Sequence, residues 1–180
     1  AGVSDLAVGD RVFGFVPHGG YAEEVVAGAE ALFPMPDRMT FETAAALPIA
    51  FGTSYHALVD RAAVSAGETL LVLGAGGGVG LAAVQIGAAL GAKVVGAVSS
   101  DAKADAVMAA GASLVLRYDK EGLRDGLKRL APSGVDVVYD PVGGDLTESA
   151  FRSLAWKGRH LVIGFASGAI PELAVNLALL

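Results

Sequence analysis

The stretch Leu70–Gly80, LLVLGAGGGVG, sets a run of β-forming apolar residues directly against a glycine-rich turn, and LAAVQIGAALGA follows from Leu81 with helical character. A strand that feeds a helix through residues almost without side chains lets backbone come close to a bulky anion. The first N–H groups of that helix have no acceptor within it and carry partial positive charge, so they are aimed at a phosphate. The spacing fits the fingerprint G-x-G-x-x-G with Ala75 in the first position and Gly77 and Gly80 in the other two. Alanine is small enough for the tight turn, Gly77 keeps the pyrophosphate approach open, and Gly80 allows helix to pack closely on strand. Gly77, Gly78 and Val79 are thus the candidate pyrophosphate contacts. No Gly-Lys-Ser or Gly-Lys-Thr follows, which disfavours triphosphate chemistry of the Walker type. A dinucleotide is the ligand that suits the turn, and a ligand-free glycine turn is the plain alternative.

Working outward, strand and helix patterns alternate. Strands are expected at Thr69–Leu73, Lys93–Val98, Ser113–Arg117, Val135–Tyr139 and Arg159–Gly164, with helices near 79–90, 101–110, 121–130 and 145–155. Strands apolar throughout, such as VVGAV, imply burial on both faces and hence a parallel sheet between helix layers, a doubly wound α/β (Rossmann) fold. Gly91 and Gly111 fall just past two helices, where left-handed caps are common.

The front of the chain differs. Asp10–Phe15 (DRVFGF) and Gly20–Ala27 (GYAEEVVA) read as short β pieces, and Phe33–Met39 (FPMPDRM) as an extended proline segment. Phe41–Ala63, with Thr40 as N-cap and Pro48 interrupting a helix, reads as the connection to the α/β part.

Composition narrows the function classes. The 180 residues are 53% hydrophobic and 18% charged with a net charge of −6, which suits a packed α/β protein and not a nucleic-acid binder with a basic face. No apolar run reaches the roughly 18–20 residues of a spanning helix, and AGVSDLAVGD lacks the features of a signal peptide. Absence of cysteine removes disulfides, thiol nucleophiles and thiolate zinc sites, and a cytoplasmic location is the default expectation.

The succession VGDRVFGF, GGYAEEVV, FETAAALPIAFGTSYHAL, GAGGGVGLAAVQIGAALGAKVVGAVSS, GVDVVYDPVGG and GRHLVIGFASG resembles the quinone oxidoreductases (zeta-crystallin-like) of the medium-chain dehydrogenase/reductase superfamily. The resemblance implies a partial GroES-like β domain over residues 1–50 and an NADP-binding Rossmann domain over 51–180. It also implies an excised central piece, since family members have more β domain in front and a further sheet strand behind. The expected parent is a homodimer.

The end of the second strand bears on cofactor choice. An NAD site places a carboxylate about twenty residues past the fingerprint, whereas an NADP site needs donors for the extra phosphate. Ser99 can donate a hydrogen bond and Lys103 can supply charge. In the family resembled, a lysine in this register and a tyrosine after the third strand clasp the 2′-phosphate, and Lys103 and Tyr118 match them. Lys103 as a solvated helix residue and Tyr118 as a ring closing the strand edge are the ordinary readings. Asp101 competes as a ribose ligand, and it reads instead as a first-turn carboxylate favoured by the helix dipole. NADPH is the expected cofactor. The same carry-over places Thr53, Val142, Gly143, Phe165 and Ala166 around the nicotinamide end, with packing roles as the alternative.

Catalysis is less legible. His18, His56 and His160 are widely spaced and the chain has no cysteine, so no zinc site is expected. The Tyr-x-x-x-Lys pair of short-chain dehydrogenases and G-x-S-x-G are both absent. By resemblance the reaction is metal-free hydride transfer from NADPH to a quinone or other conjugated carbonyl, with no protein acid identifiable. An enoyl-thioester reductase of polyketide synthase type and a non-catalytic NADPH-binding module are the alternatives.

Overall fold

The computed structural model describes residues 5–179. The chain divides into two compact units, residues 1–52 and 53–180.

In the first unit β1 (Val12–Gly14) pairs antiparallel with β2 (Leu32–Pro34), Phe13 opposite Phe33 with ring centroids 5.8 Å apart. Gly20–Ala27, expected as a β piece, forms no strand. The partner of β1 comes instead from the start of the proline-rich segment, and without a neighbour a short β-like sequence leaves its ladder groups to water. Helix α1 (Phe41–Tyr55) opens with the Thr40 hydroxyl accepting from the Thr43 amide at 3.2 Å, a side-chain N-cap. Pro48 does not interrupt it. The proline lies inside the helix, whose alanine-rich sequence carries the loss of one backbone bond. The last residues of α1 and the π-helical turn that follows, His56–Arg61, belong to the second unit, whose core takes Ala57 and Leu58.

The second unit is built on a five-stranded sheet: β3 (Thr69–Val72), β4 (Lys93–Val98), β5 (Leu114–Arg117), β6 (Val135–Asp140) and β7 (Leu154–Val162). The order is β5-β4-β3-β6-β7 and every pairing is parallel, so the expected Rossmann architecture is present. Alternation along the strands sends Leu70, Val72, Val94 and Val98 to one core, shared with α2 (Gly78–Ala89) and α3 (Asp101–Ala109). Leu71, Leu73, Val95 and Ala97 go to the other, where α5 (Leu123–Leu130) contributes Leu123 and Leu127 and α6 (Asp145–Phe151) contributes Ala150. Both faces are covered, hence the unbroken apolar strands.

Three elements differ from expectation by more than two residues. The helix expected at 121–130 is two, α4 (Tyr118–Glu121) and α5, separated by Gly122 at φ +73°. α6 stops at Phe151. β7 starts at Leu154, five residues early, because a register shift between Val135 and Val137 absorbs the left-handed Lys157 at φ +64°. Among the described residues no helix is long and apolar enough to cross a membrane.

The chain leaves β3 for β4 and β5 on one side and returns to β6 and β7 on the other. Open sheets bind ligands at this reversal, beyond the carboxyl ends of the strands. The glycine turn after β3 lies there.

Candidate functional site

The turn is shaped by what its glycines touch. Gly74 has φ +55°, a conformation side chains resist, and a Cβ on it would stand 2.8 Å from Val142 Cγ2. A Cβ on Gly80 would run into the Gly74 carbonyl and lie 2.8 Å from Ala75 Cα, so helix α2 rides on the strand as the third fingerprint glycine requires. Gly77, the N-cap of α2, offers no capping side chain, and a Cβ on Gly78 would meet nothing within 4 Å. The first turn of α2 is therefore open at Gly78, while the Gly77 amide donates to the Gly74 carbonyl at 2.9 Å. Gly77 and Gly78 are exposed and Val79 is half-buried.

Lys103 comes to this turn. A Cβ on Gly76 would lie 2.9 Å from both Cβ and Cγ of Lys103, so the aliphatic stem crosses the glycine backbone. The Ser100 hydroxyl caps α3 by accepting from the Lys103 amide at 3.4 Å. Ser99 is exposed at the end of β4. Tyr118, first residue of α4, is half-buried with its ring packed on the second core, one strand over. Because Val98 pairs with Arg117, the ends of β4 and β5 are neighbours.

The loops after β6 and β7 are joined to each other. Ala166 N donates to the Pro141 carbonyl at 3.0 Å, Ser167 N to that of Val142 at 2.9 Å, and Gly144 N to that of Ala169 at 3.1 Å. A Cβ on Gly143, at φ +70°, would meet Phe165 Cδ1 at 3.0 Å. Val142, Gly143, Phe165 and Ala166 thus form one cluster, with Phe165 and Ala166 exposed. Thr53 is exposed beside Ser54, which is fully buried. The Ser54 hydroxyl donates to the Val79 carbonyl at 2.9 Å and lies 2.8 Å from the Tyr139 hydroxyl, which therefore is the donor between them. Burial raises the Tyr139 pKa above its ordinary value. Ser54 so ties the end of α1 to the first turn of α2.

Sequence reasoning missed the groups that hold these pieces. Asp140, 2% exposed, accepts at Oδ1 from Val142 N and Gly143 N, both 2.9 Å, and at Oδ2 from Thr147 Oγ1 at 2.7 Å and His160 Nε2 at 3.3 Å. A carboxylate can only accept, so the His160 proton is on Nε2. Burial pushes the Asp140 carboxyl up, yet the bonds from His160, Gly143, Thr147 and Val142 outweigh it and hold the pKa below the ordinary value. A carboxylate closing an apolar strand was the available signal. Arg117 was passed over as well: it pairs with Asp101 and, at 2.7 Å, with Asp119, while Lys120 reaches Asp101 at 3.1 Å. Asp101 is thus more than a helix-dipole carboxylate.

A family model described as zinc-binding dehydrogenase matches residues 78–180, more than half of the chain. The chain belongs to the zinc-binding dehydrogenase family. Quinone oxidoreductase-like protein 2 of Bos taurus is 42% identical over 99% of this chain and 52% of its own length. The structure of Escherichia coli quinone oxidoreductase complexed with NADPH superposes with a TM-score of 0.87 at 34% identity, covering 98% of this chain and 55% of that one. A polyketide synthase of Streptomyces halstedii is 41% identical over 95% of this chain and 3% of the synthase. This zinc-binding dehydrogenase chain spans about half the length of the quinone oxidoreductase relatives it matches.

The metal in the family's description does not fit the donors present. The chain has no cysteine, and among the described residues no three of His, Cys, Asp or Glu gather to hold an ion. A dinucleotide does fit: the turn is closed by glycines at 74, 76 and 80, where added Cβ atoms would collide with Val142, Lys103 and the Gly74 carbonyl, and it is open at Gly78, where nothing lies within 4 Å.

Proposed function

We propose that the chain is the NADPH-binding region of a zinc-independent reductase that delivers hydride to a quinone or another conjugated carbonyl. The observation that carries the proposal is the open amide cradle at the α2 N-terminus with the Lys103 stem lying across Gly76, an anion site and a cation side by side. Gly77, Gly78 and Val79 would hold the pyrophosphate, Ser99, Lys103 and Tyr118 the 2′-phosphate, and Thr53, Val142, Phe165 and Ala166 the nicotinamide end. When bound, NADPH supplies the hydride from C4 of its nicotinamide. The chain's own part is positional: Asp140 sets the loop that backs the ring, and Ser54 sets Thr53 against α2. No residue of the chain is assigned as proton donor. Residues 1–50 would belong to a GroES-like domain and 51–180 to the NADP-binding domain of a cytoplasmic, homodimeric parent; in the 180-residue chain β7 is an edge strand among the described residues, so this chain would pair edge to edge with a second copy.

The identity to a polyketide synthase segment favours a second reading, reduction of a carrier-bound enoyl thioester with the same cofactor. Turnover of quinone against crotonyl thioester by the full-length parent separates the two. For the cofactor, calorimetric titration of the chain with NADPH and NADH is expected to show a preference for NADPH that Lys103→Ala and Tyr118→Ala both reduce. Binding of neither nucleotide refutes the proposal.

A further inference from the structure

We propose that Asp101 is a built-in occupant of the adenosine 2′-phosphate position, held there by Arg117 and Lys120, and that Arg117 is a principal determinant of the preference for the phosphorylated cofactor. The inference deepens the cofactor reading above and rests on it. Pairing of Val98 with Arg117 puts Arg117 beside the end of β4, where the segment Ser99–Asp101 begins and where an adenosine ribose is held in such sheets.

The guanidinium is oriented before any ligand arrives. Its Nε donates to Asp119 Oδ1 at 2.8 Å and its Nη2 to Oδ2 at 2.7 Å, a two-pronged grip that fixes the plane and leaves Nη1 for Asp101. Lys120 Nζ closes on the same carboxylate, 3.1 and 3.2 Å from its two oxygens. Two cations therefore converge on one anion, which is the arrangement a phosphate needs, and the chain fills it with its own carboxylate.

The two sides of the pair differ in exposure. The Arg117 side chain is 15% exposed and pinned by Asp119, whereas that of Asp101 is 78% exposed on a short stem at the start of α3. The cation stays and the anion can swing out. A phosphate dianion, with three acceptor oxygens, competes with a carboxylate for Arg117 and Lys120; the two ribose hydroxyls of NADH do not. An Asp101 free to hold those hydroxyls would need its oxygens unengaged, and both are engaged. Asp101 thus disfavours NADH by being occupied and restrains NADPH by having to be displaced.

The test measures binding of NADPH and NADH, and of 2′,5′-ADP and 5′-AMP as their adenosine ends, to the 180-residue chain. Asp101→Asn should tighten NADPH and 2′,5′-ADP about two- to fivefold, the worth of an exposed ion pair, and leave NADH and 5′-AMP unchanged. Arg117→Gln should weaken NADPH about ten- to hundredfold, as expected for one charge-assisted bond, with NADH within about twofold, and Arg117→Lys should recover part of the loss. Retained NADH binding by each variant certifies the fold. If wild type prefers NADPH while Asp101→Asn weakens it, or Arg117→Gln leaves the NADPH to NADH ratio unmoved, this inference fails and the cofactor reading survives. Binding of neither nucleotide by wild type sinks both.

Discussion

Replacing Asp140 with alanine should be among the most damaging single changes in the α/β unit. Four donors converge on this carboxylate, from Val142, Gly143, Thr147 and His160. In Asp140→Ala the buried Gly143 amide, Thr147 hydroxyl and His160 Nε2 lose their acceptor with no protein replacement, while the half-buried Val142 amide can turn to water. Stranding three buried donors, each bonded to a charge, costs about 3–5 kcal/mol, a fifth or more of the roughly 5–15 kcal/mol that stabilises an ordinary domain. Asp140→Asn keeps one carbonyl oxygen for the two amides, and the Thr147 hydroxyl can rotate to accept, so about 1–2 kcal/mol is expected. Urea unfolding followed by circular dichroism gives both values if the slope with denaturant is unchanged. Hydrogen exchange at Gly143 should lose protection in the alanine variant before global unfolding, because the loop it anchors opens first. An alanine variant destabilised by less than about 1 kcal/mol, or an asparagine variant equal to it, would refute the account of Asp140 as the charged hub of the two loops.

Acid stability follows from the same carboxylate. Its folded pKa is lowered, so it binds fewer protons folded than unfolded; the stability it contributes is complete above the unfolded value near ~4 and is lost as pH falls through the lower folded value. Glu68, held down first by its bond to Arg159, titrates in the same direction. Wild type should lose stability steeply below about pH 4, and Asp140→Asn should flatten that limb in urea midpoints measured across pH; an unchanged slope would count against the hub. Gly80→Ala should cost about 1–3 kcal/mol by overpacking against Gly74 and Ala75 and should abolish dinucleotide binding, while Gly78→Ala, with open space around it, stays within about 0.5 kcal/mol of wild type in thermal melts. Equal behaviour of the two variants would contradict the packing described for the turn.

Alternating apolar strands, helical periodicity and the glycine run from Gly74 to Gly80 act within a few residues of themselves, so the α/β order, the parallel sheet and the glycine turn from strand to helix were legible from the amino acids alone. Lys103 was singled out by resemblance, as a lysine just past the end of the second strand, and its stem lies against Gly76 of the turn. Pairings across the chain were not legible. Ser54 and Tyr139 lie 85 residues apart, Asp140 and His160 lie 20 apart, and Arg117 meets Asp101 across 16. Such contacts exist only once the sheet has chosen its strand order and register, because that choice, and no local preference, decides which side chains face one another. For the same reason Leu32–Pro34 rather than Gly20–Ala27 became the partner of β1, and β7 could begin early by absorbing a left-handed Lys157 into a register shift. Local backbone preference settled the elements and their succession; which carboxylates and hydroxyls would hold the loops of the site was settled only by tertiary closure, where burial makes an unpaired polar group costly.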